Sequence, residues 1–141
     1  MREGDLAQVL EVEQGAYEFP WSPGIFRDCL RVGYCCWVIE RDSQIDGYCI
    51  MQLGAGESHI LNLCVRVTAQ GQGLGRTLLG RIIEVARERG ADTVLLEVRP
   101  TNTVARNLYD DMGFNEVGVR RAYYPGRHGR EDALILARNL A

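Results

Sequence analysis

Two side chains in this sequence have the chemistry to move a proton, and one backbone stretch has the form to hold an anion. Glu97 lies in "TVLLEVRP", a carboxylate inside an otherwise apolar run. Burying a carboxylate is costly unless it is solvated, paired or put to use. Its options are an ion pair with Arg99, on the same face at strand spacing i, i+2, or service as a general base. Tyr109, in "ARNLYDDMGF", reads either as a core aromatic with its hydroxyl at a rim or as a weak acid of pKa ~10. The stretch "VTAQGQGLGRTLLGRIIEVARERG" sets Gly71, Gly73 and Gly75 at alternate positions in front of a long helical pattern.

Two familiar phosphate-binding motifs fail on these glycines. A dinucleotide fingerprint needs glycine where Arg76 stands, and a nucleotide-triphosphate loop needs Lys-Ser/Thr where Arg81-Ile82 follow Gly80. What remains is Q-x-x-G-x-G, running Gln70, Gly71, Gln72, Gly73, Leu74, Gly75 and then Arg76, on the lip of a helix. Free N–H groups of a first helical turn, backed by the helix dipole, make an anion site there. Small residues keep side chains from standing between those donors and a diphosphate. The competing reading is a flexible connection with no ligand.

The elements that must position these groups follow from periodicity. A helix fits residues 5–17, with Leu6, Val9, Leu10 and Ala16 on one stripe. The prolines of "EFPWSPG" break it, and Ser22 caps a second helix that starts at Pro23 and runs through Leu30. Strands are expected in "YCCWVIERD" and "GYCIMQLGA", a hairpin turning at "SQID", and then in "SHILNLCVRV". A helix of about 17 residues follows the glycines and stops at Gly90. "DTVLLEVRP" is apolar enough to be a central strand covered on both faces. Asn102 opens a short helix ending at Gly113, and "NEVGVRRAYY" and "EDALILARNL" form two strands joined by "PGRHGR". The order defines an α/β protein with a mixed sheet, and the strand–helix–strand crossover over 58–99 demands a parallel pair.

Composition narrows the class. At 141 residues the chain fits one domain, 1–141, with 46% hydrophobic and 25% charged residues. A net charge of −3 gives no global drive toward nucleic acid or an anionic membrane, so neither is an expected partner. No apolar run reaches the ~20 residues that cross a bilayer, and "MREGDLAQVLEVEQ" has no signal-peptide pattern, so a cytoplasmic location is expected. Cys29, Cys35, Cys36, Cys49 and Cys64 lack C-x-x-C spacing, and neither His59 nor His128 pairs with them as a metal or catalytic partner. They read as reduced, buried thiols, with no metal site.

The succession of strand, Q-x-x-G-x-G, long helix, strand, Asn and Tyr-bearing helix resembles the GCN5-related N-acetyltransferase superfamily. "EFPWS", "NLCVRVTAQGQGLGRTLL", "LEVRPTNTVARNLYDDMGFNEVGVRRAYYP" and "GREDALIL" narrow the likeness to RimI-type ribosomal-protein-alanine N-acetyltransferases. The resemblance implies a mostly antiparallel sheet with a splayed parallel central pair and flanking helices. It implies acetyl-CoA as donor and the N-terminal alanine of a small-subunit ribosomal protein as acceptor, joined by direct attack in a ternary complex.

It also implies roles. Glu97 matches the general base and Tyr109 the acid that protonates the leaving thiolate. The backbone of Leu63, Cys64 and Val65, together with residues 70–76 and Asn102, matches the cofactor site; helix capping is an equally good use for Asn102. Trp21 and Tyr124 lie where related enzymes line the peptide site, and the Arg-rich 120–130 segment is left between acceptor, ribosomal RNA and the cofactor's 3′-phosphate. One departure is that family members start with a strand before the first helix, whereas only "MREG" precedes it here, so that strand is expected to be missing or a stub. The rivals are a sibling enzyme acting on lysine side chains or small amines, and a non-catalytic module that binds coenzyme A.

Overall fold

A computed structural model describes residues 1–126 and 129–141. Six strands, β1 (Cys35–Arg41), β2 (Gln44–Gly54), β3 (Glu57–Val65), β4 (Thr93–Val98), β5 (Asn115–Gly126) and β6 (Gly129–Asn139), form one sheet in the order β1-β2-β3-β4-β6-β5. All neighbours are antiparallel except β3 and β4, the parallel pair that the crossover demanded. Helices α1 (Leu6–Ala16) and α2 (Pro23–Val32) lie on one face, and α3 (Leu74–Glu88) and α4 (Thr103–Asp111) on the other.

Each face has its own core. Leu78, Leu79, Ile82, Ile83, Val85 and Ala86, the apolar stripe of α3, pack on Val94, Leu96 and Val98 of β4. Leu6, Val9 and Val12 of α1 and Phe26 of α2 pack on Ile45, Tyr48 and Ile50 of β2. The expected α1 stripe is shifted. Leu10 and Ala16 are only half-buried, while Val12 and the carboxylate of Glu13 point inward.

Caps fall where the side chains allow them. The Ser22 hydroxyl accepts from the Ile25 N–H at 3.4 Å, and the Asn102 carbonyl oxygen accepts from the Ala105 N–H at 3.3 Å. The first hairpin is tighter than "SQID" implied. Gln44, Ile45 and Asp46 are already strand, and the chain turns on Asp42 and Ser43, both at positive φ, as a two-residue hairpin of this hand requires. No strand precedes α1 among the described residues; the Met1 ammonium donates to the Cys36 carbonyl at 2.9 Å on edge strand β1. β4 is central but covered unequally: Val94, Leu96 and Val98 are buried, whereas Thr93, Leu95 and Glu97 are half-buried on the face that opens to a cavity.

The decisive feature is where pairing stops. β3 and β4 are in register only from Glu57↔Thr93 to Ile60↔Leu96, although both strands continue. At that point β3 carries a bulge: Ile50 faces Asn62 and Met51 faces Ile60, leaving Leu61 as the extra residue. Opposite the diverging half, Gly47 of β2 allows close approach, since a Cβ there would lie 2.9 Å from the Cys64 carbonyl oxygen and 3.0 Å from Ile39 Cγ2. Gly47→Ala is therefore expected to destabilise the fold by about 1–3 kcal/mol, as overpacking does, read as a lower urea midpoint at unchanged slope.

Candidate active site

The glycine stretch forms one wall of an open cleft of about 540 Å³, whose other walls are β3, the end of α1 and α4. Gln70, Gly71, Gly73, Leu74, Gly75 and Arg76 line it together with Leu63, Cys64, Val65 and Asn102. Gly71 and Gly73 both sit at φ +80°, with nothing near the position a Cβ would take. Gly73 is the N-cap of α3 and supplies no side-chain cap, and no acidic residue occupies the first turn. The N–H groups of Leu74, Gly75 and Arg76 thus lack intrahelical partners and sit at the dipole's positive end. Gly75 has a different duty: a Cβ there would press on Leu108 Cδ2 at 3.3 Å, so it lets α3 approach α4. Gln72 is absent from the lining; its side-chain oxygen accepts from Arg41 Nη1 at 2.7 Å and ties the loop to β1.

Beyond Ile60 the inner edge of β3 has no strand partner. The Arg66 N–H donates to the Asp46 carbonyl, which fixes the alternation: Asn62 and Cys64 turn their backbone to β2, and Leu63 and Val65 turn theirs into the gap. Of the three matched residues, Cys64 therefore contributes lining rather than a free amide. Two carbonyls in the gap are satisfied by the protein. The Tyr17 hydroxyl donates to Leu63 O at 3.1 Å and the Gln70 side-chain amide to Val65 O at 3.1 Å. The Leu63 and Val65 N–H groups remain directed into the space where β4 has departed.

Glu97 and Tyr109 meet in that gap. They line a single cavity of about 360 Å³ with Leu63, Asn62, Trp21 and Tyr124. The Glu97 side chain is 10% exposed, with Arg120 Nε at 3.5 Å and His59 Nε2 at 3.6 Å, both from Oε1. Arg99 is not its partner. β4 ends at Val98, so strand alternation no longer sets the direction of residue 99. The Arg99 guanidinium pairs with Glu131 at 3.4 Å, donates to the Pro125 carbonyl at 2.9 Å and lies over the Tyr124 ring at 4.4 Å.

Tyr109 is buried against Phe114, ring centroids 5.7 Å apart. Burial first, and then the neighbouring Cys49, Tyr124 and Cys64, push its hydroxyl well above the ordinary tyrosine value. The same cause, burial, raises Cys64 to about 12, which makes its thiol a poor nucleophile at neutral pH. All five cysteines are free.

The cavity continues on both sides. Tyr17, Leu63, Asn102 and Ala105 are shared with the glycine cleft, and Trp21, Leu61, Glu97 and Tyr124 with a groove of about 390 Å³ beside α2. Trp21 is held by its backbone N–H, which donates to the buried Glu13 carboxylate at 2.8 Å. Glu13 also accepts from Asn62 at 3.0 Å and from the Tyr48 hydroxyl, so one carboxylate ties α1, β2, β3 and the Trp21 loop together. Tyr124 follows a bulge in β5 that spans Arg120 to Tyr124, with Ala122 at φ +51°. Arg130 holds this bulge by donating to the Ala122 carbonyl at 2.7 Å and the Tyr123 carbonyl at 2.8 Å. Of the Arg-rich segment, Arg120 thus reaches Glu97 and Arg130 is structural; Arg127 and His128 lie outside the described residues.

Three contributors escape the sequence reading. Tyr17 and Glu13 act through backbone contacts across the chain that no local pattern announces. His59 was visible in retrospect, because residues 59 and 95 are in register and Glu97 lies two positions on, on the same face.

With this geometry in place, the chain belongs to the acetyltransferase (GNAT) family, which it matches over residues 6–114. It is 39% identical to the [ribosomal protein bS18]-alanine N-acetyltransferase of Escherichia coli K12 over 133 residues, 94% of this chain and 90% of that protein. The Haemophilus influenzae protein of the same name is 39% identical over 134 residues, 94% of this chain and 91% of that protein. In three dimensions the fold superimposes on the ribosomal-protein-S18-alanine N-acetyltransferase of Escherichia coli with a TM-score of 0.93 at 37% identity, covering 100% of this chain and 91% of that one. The protein is an N-acetyltransferase whose acetyl donor is acetyl-CoA, and its resources fit that donor: an uncapped helix terminus over open space at Gly71 and Gly73, and two amides turned into the gap. Gly73→Ala is expected to cost about 1 kcal/mol of stability for its left-handed φ and to weaken coenzyme A binding at least about tenfold, measured by calorimetry.

Proposed function

We propose that this enzyme acetylates the N-terminal alanine of a bacterial small-subunit ribosomal protein by direct attack within a ternary complex. One observation carries the reading: Glu97, Tyr109 and the Leu63 backbone line one cavity that opens on one side to the glycine cleft and on the other to the groove beside α2. Bound acetyl-CoA supplies a thioester carbonyl and a thiolate leaving group. The Leu74–Arg76 amides hold its diphosphate, Asn102 and Val65 line its path, and the Leu63 amide faces the reacting end.

An α-amino group titrates near ~7.7–8.0, so at neutral pH much of it is ammonium and needs a base. Among the described residues Glu97 is the only carboxylate that lines both the reaction cavity and the groove, which supports assigning it that role. Tyr109 keeps its proton because of its burial and serves as the acid toward the leaving sulfur. Trp21 and Tyr124 contact the peptide terminus at the junction of cavity and groove. Likeness in name to the bS18-modifying relatives supports the acceptor. Among the described residues no helix is long and apolar enough to cross a membrane, in keeping with action on a ribosomal protein in the cytoplasm. No direct nucleic-acid contact is invoked.

Glu97→Gln is expected to lower kcat by about 10²–10⁴-fold toward an alanine-terminal peptide while coenzyme A affinity stays within about twofold. Turnover at the wild-type level would remove Glu97 from the role. Tyr109→Phe is expected to slow transfer by about 10²-fold with unchanged donor affinity. Because the folded-state pKa of Tyr109 is raised, its proton-donating form persists above the ordinary ~10, so kcat should show no loss from this group between pH 7 and ~10. Mass spectrometry of ribosomal proteins with and without the enzyme tests the acceptor directly: an unacetylated alanine terminus on one protein is the expected difference.

A further inference from the structure

We infer that His59 is a second proton-handling residue of the reaction, relaying to solvent the proton that Glu97 takes from the acceptor; this rests on the reading of Glu97 as base. Glu97 is nearly enclosed, and a base that cannot shed its proton works once. His59 is placed to receive it. Its Nε2 lies 3.6 Å from Glu97 Oε1, and its side chain is 34% exposed against 10% for Glu97. Both residues line the groove beside α2, and His59 is the more exposed of the two. The separation is bridged by a small rotation of the ring or by one water molecule.

Groups from several elements face the imidazole. From β5, Arg120 lies 3.5 Å from the same Glu97 oxygen and offsets part of the carboxylate's pull, and Tyr123 and Tyr124 line the groove as neutral phenols. From α2 come Asp28, already paired with Arg31 at 3.0 Å, and the Cys29 thiol; Tyr34 lines the wall ahead of β1. Across β2, the register partner of His59 is the uncharged Gln52. The proton balance closes. The acceptor ammonium passes a proton to the Glu97 carboxylate, the resulting carboxyl passes it to His59 Nε2 and becomes carboxylate again, and the imidazolium releases it to water. The second proton that the nitrogen loses, as the amide forms and the C–S bond breaks, replaces the one that Tyr109 gives to the departing thiolate.

His59→Gln should lower kcat at pH 7 by at least about tenfold, short of the effect of losing a primary base. His59→Ala, which leaves a solvent-open space, should regain rate on adding imidazole, whereas wild type and Glu97→Gln should not respond. Coenzyme A affinity of each folded variant, measured by calorimetry, should stay within about twofold. If Glu97→Gln is inactive while His59→Gln keeps the wild-type rate, or if folded His59→Ala ignores imidazole, the relay is wrong and the base assignment stands. If Glu97→Gln turns over at the wild-type rate, the base assignment falls and the relay with it.

Discussion

The candidate site of this molecule depends on two parallel strands that pair for four residues and then part. A strand edge in a protein interior carries N–H and C=O groups that are costly to leave unpaired. Here the separation begins at Ile60 and Leu96, and a bulge at Leu61 turns β3 away from its neighbour. The carbonyls of the exposed edge are satisfied from within, by Tyr17 at Leu63 and Gln70 at Val65. The donors are left. A sheet that hides its acceptors and presents its donors attracts a carbonyl oxygen, and a thioester has one.

The same parting makes room for charge. Glu97 sits in a strand whose opposite face is sealed against α3, yet its own face opens where β3 has left. Arg120 and His59 approach one oxygen of the carboxylate, and neither comes within hydrogen-bonding distance. That arrangement keeps the carboxylate in the gap without locking it into a tight ion pair, as the proposed role of a base requires. Arg99, which strand spacing offered as a partner, is spent on β5 instead. By pairing with Glu131 and covering the Tyr124 ring it fixes the wall that faces the acceptor.

Much of this was legible in the chain and some was not, for physical reasons. Local signals carried the helices, their Ser22 and Asn102 caps, the parallel crossover and the glycine loop, because each depends on residues within a few positions. The splay itself left only Asn62 as a trace, a polar residue in an apolar run. Its partners, Glu13 and Tyr48, are 49 and 14 residues away. Nothing local marks Glu13 as buried, because its partners Tyr48 and Asn62 come from distant strands. The alternative of an ion pair between Glu97 and Arg99 is not formed, because period-two alternation does not extend past the end of β4 at Val98. The β5 bulge was illegible for a related reason. An alanine at positive φ has no sequence signature, and the side chains that hold it, Asp132 and Arg130, belong to the next strand.

The alternating glycines show how one short motif serves two masters. Gly71 and Gly73 adopt left-handed backbone over open space, so their demand comes from the turn and from whatever must sit above it. Gly75 is in ordinary helix, and its demand comes from Leu108 on α4. Replacing the first two would alter what the loop can hold. Replacing the third would press on the Leu108 side chain, which must give by a few tenths of an ångström, one residue from Tyr109 on α4. The loop proposed to face the diphosphate therefore also packs, through Gly75, against the helix that carries Tyr109, so the proposed donor site and the proposed proton donor share one contact between α3 and α4.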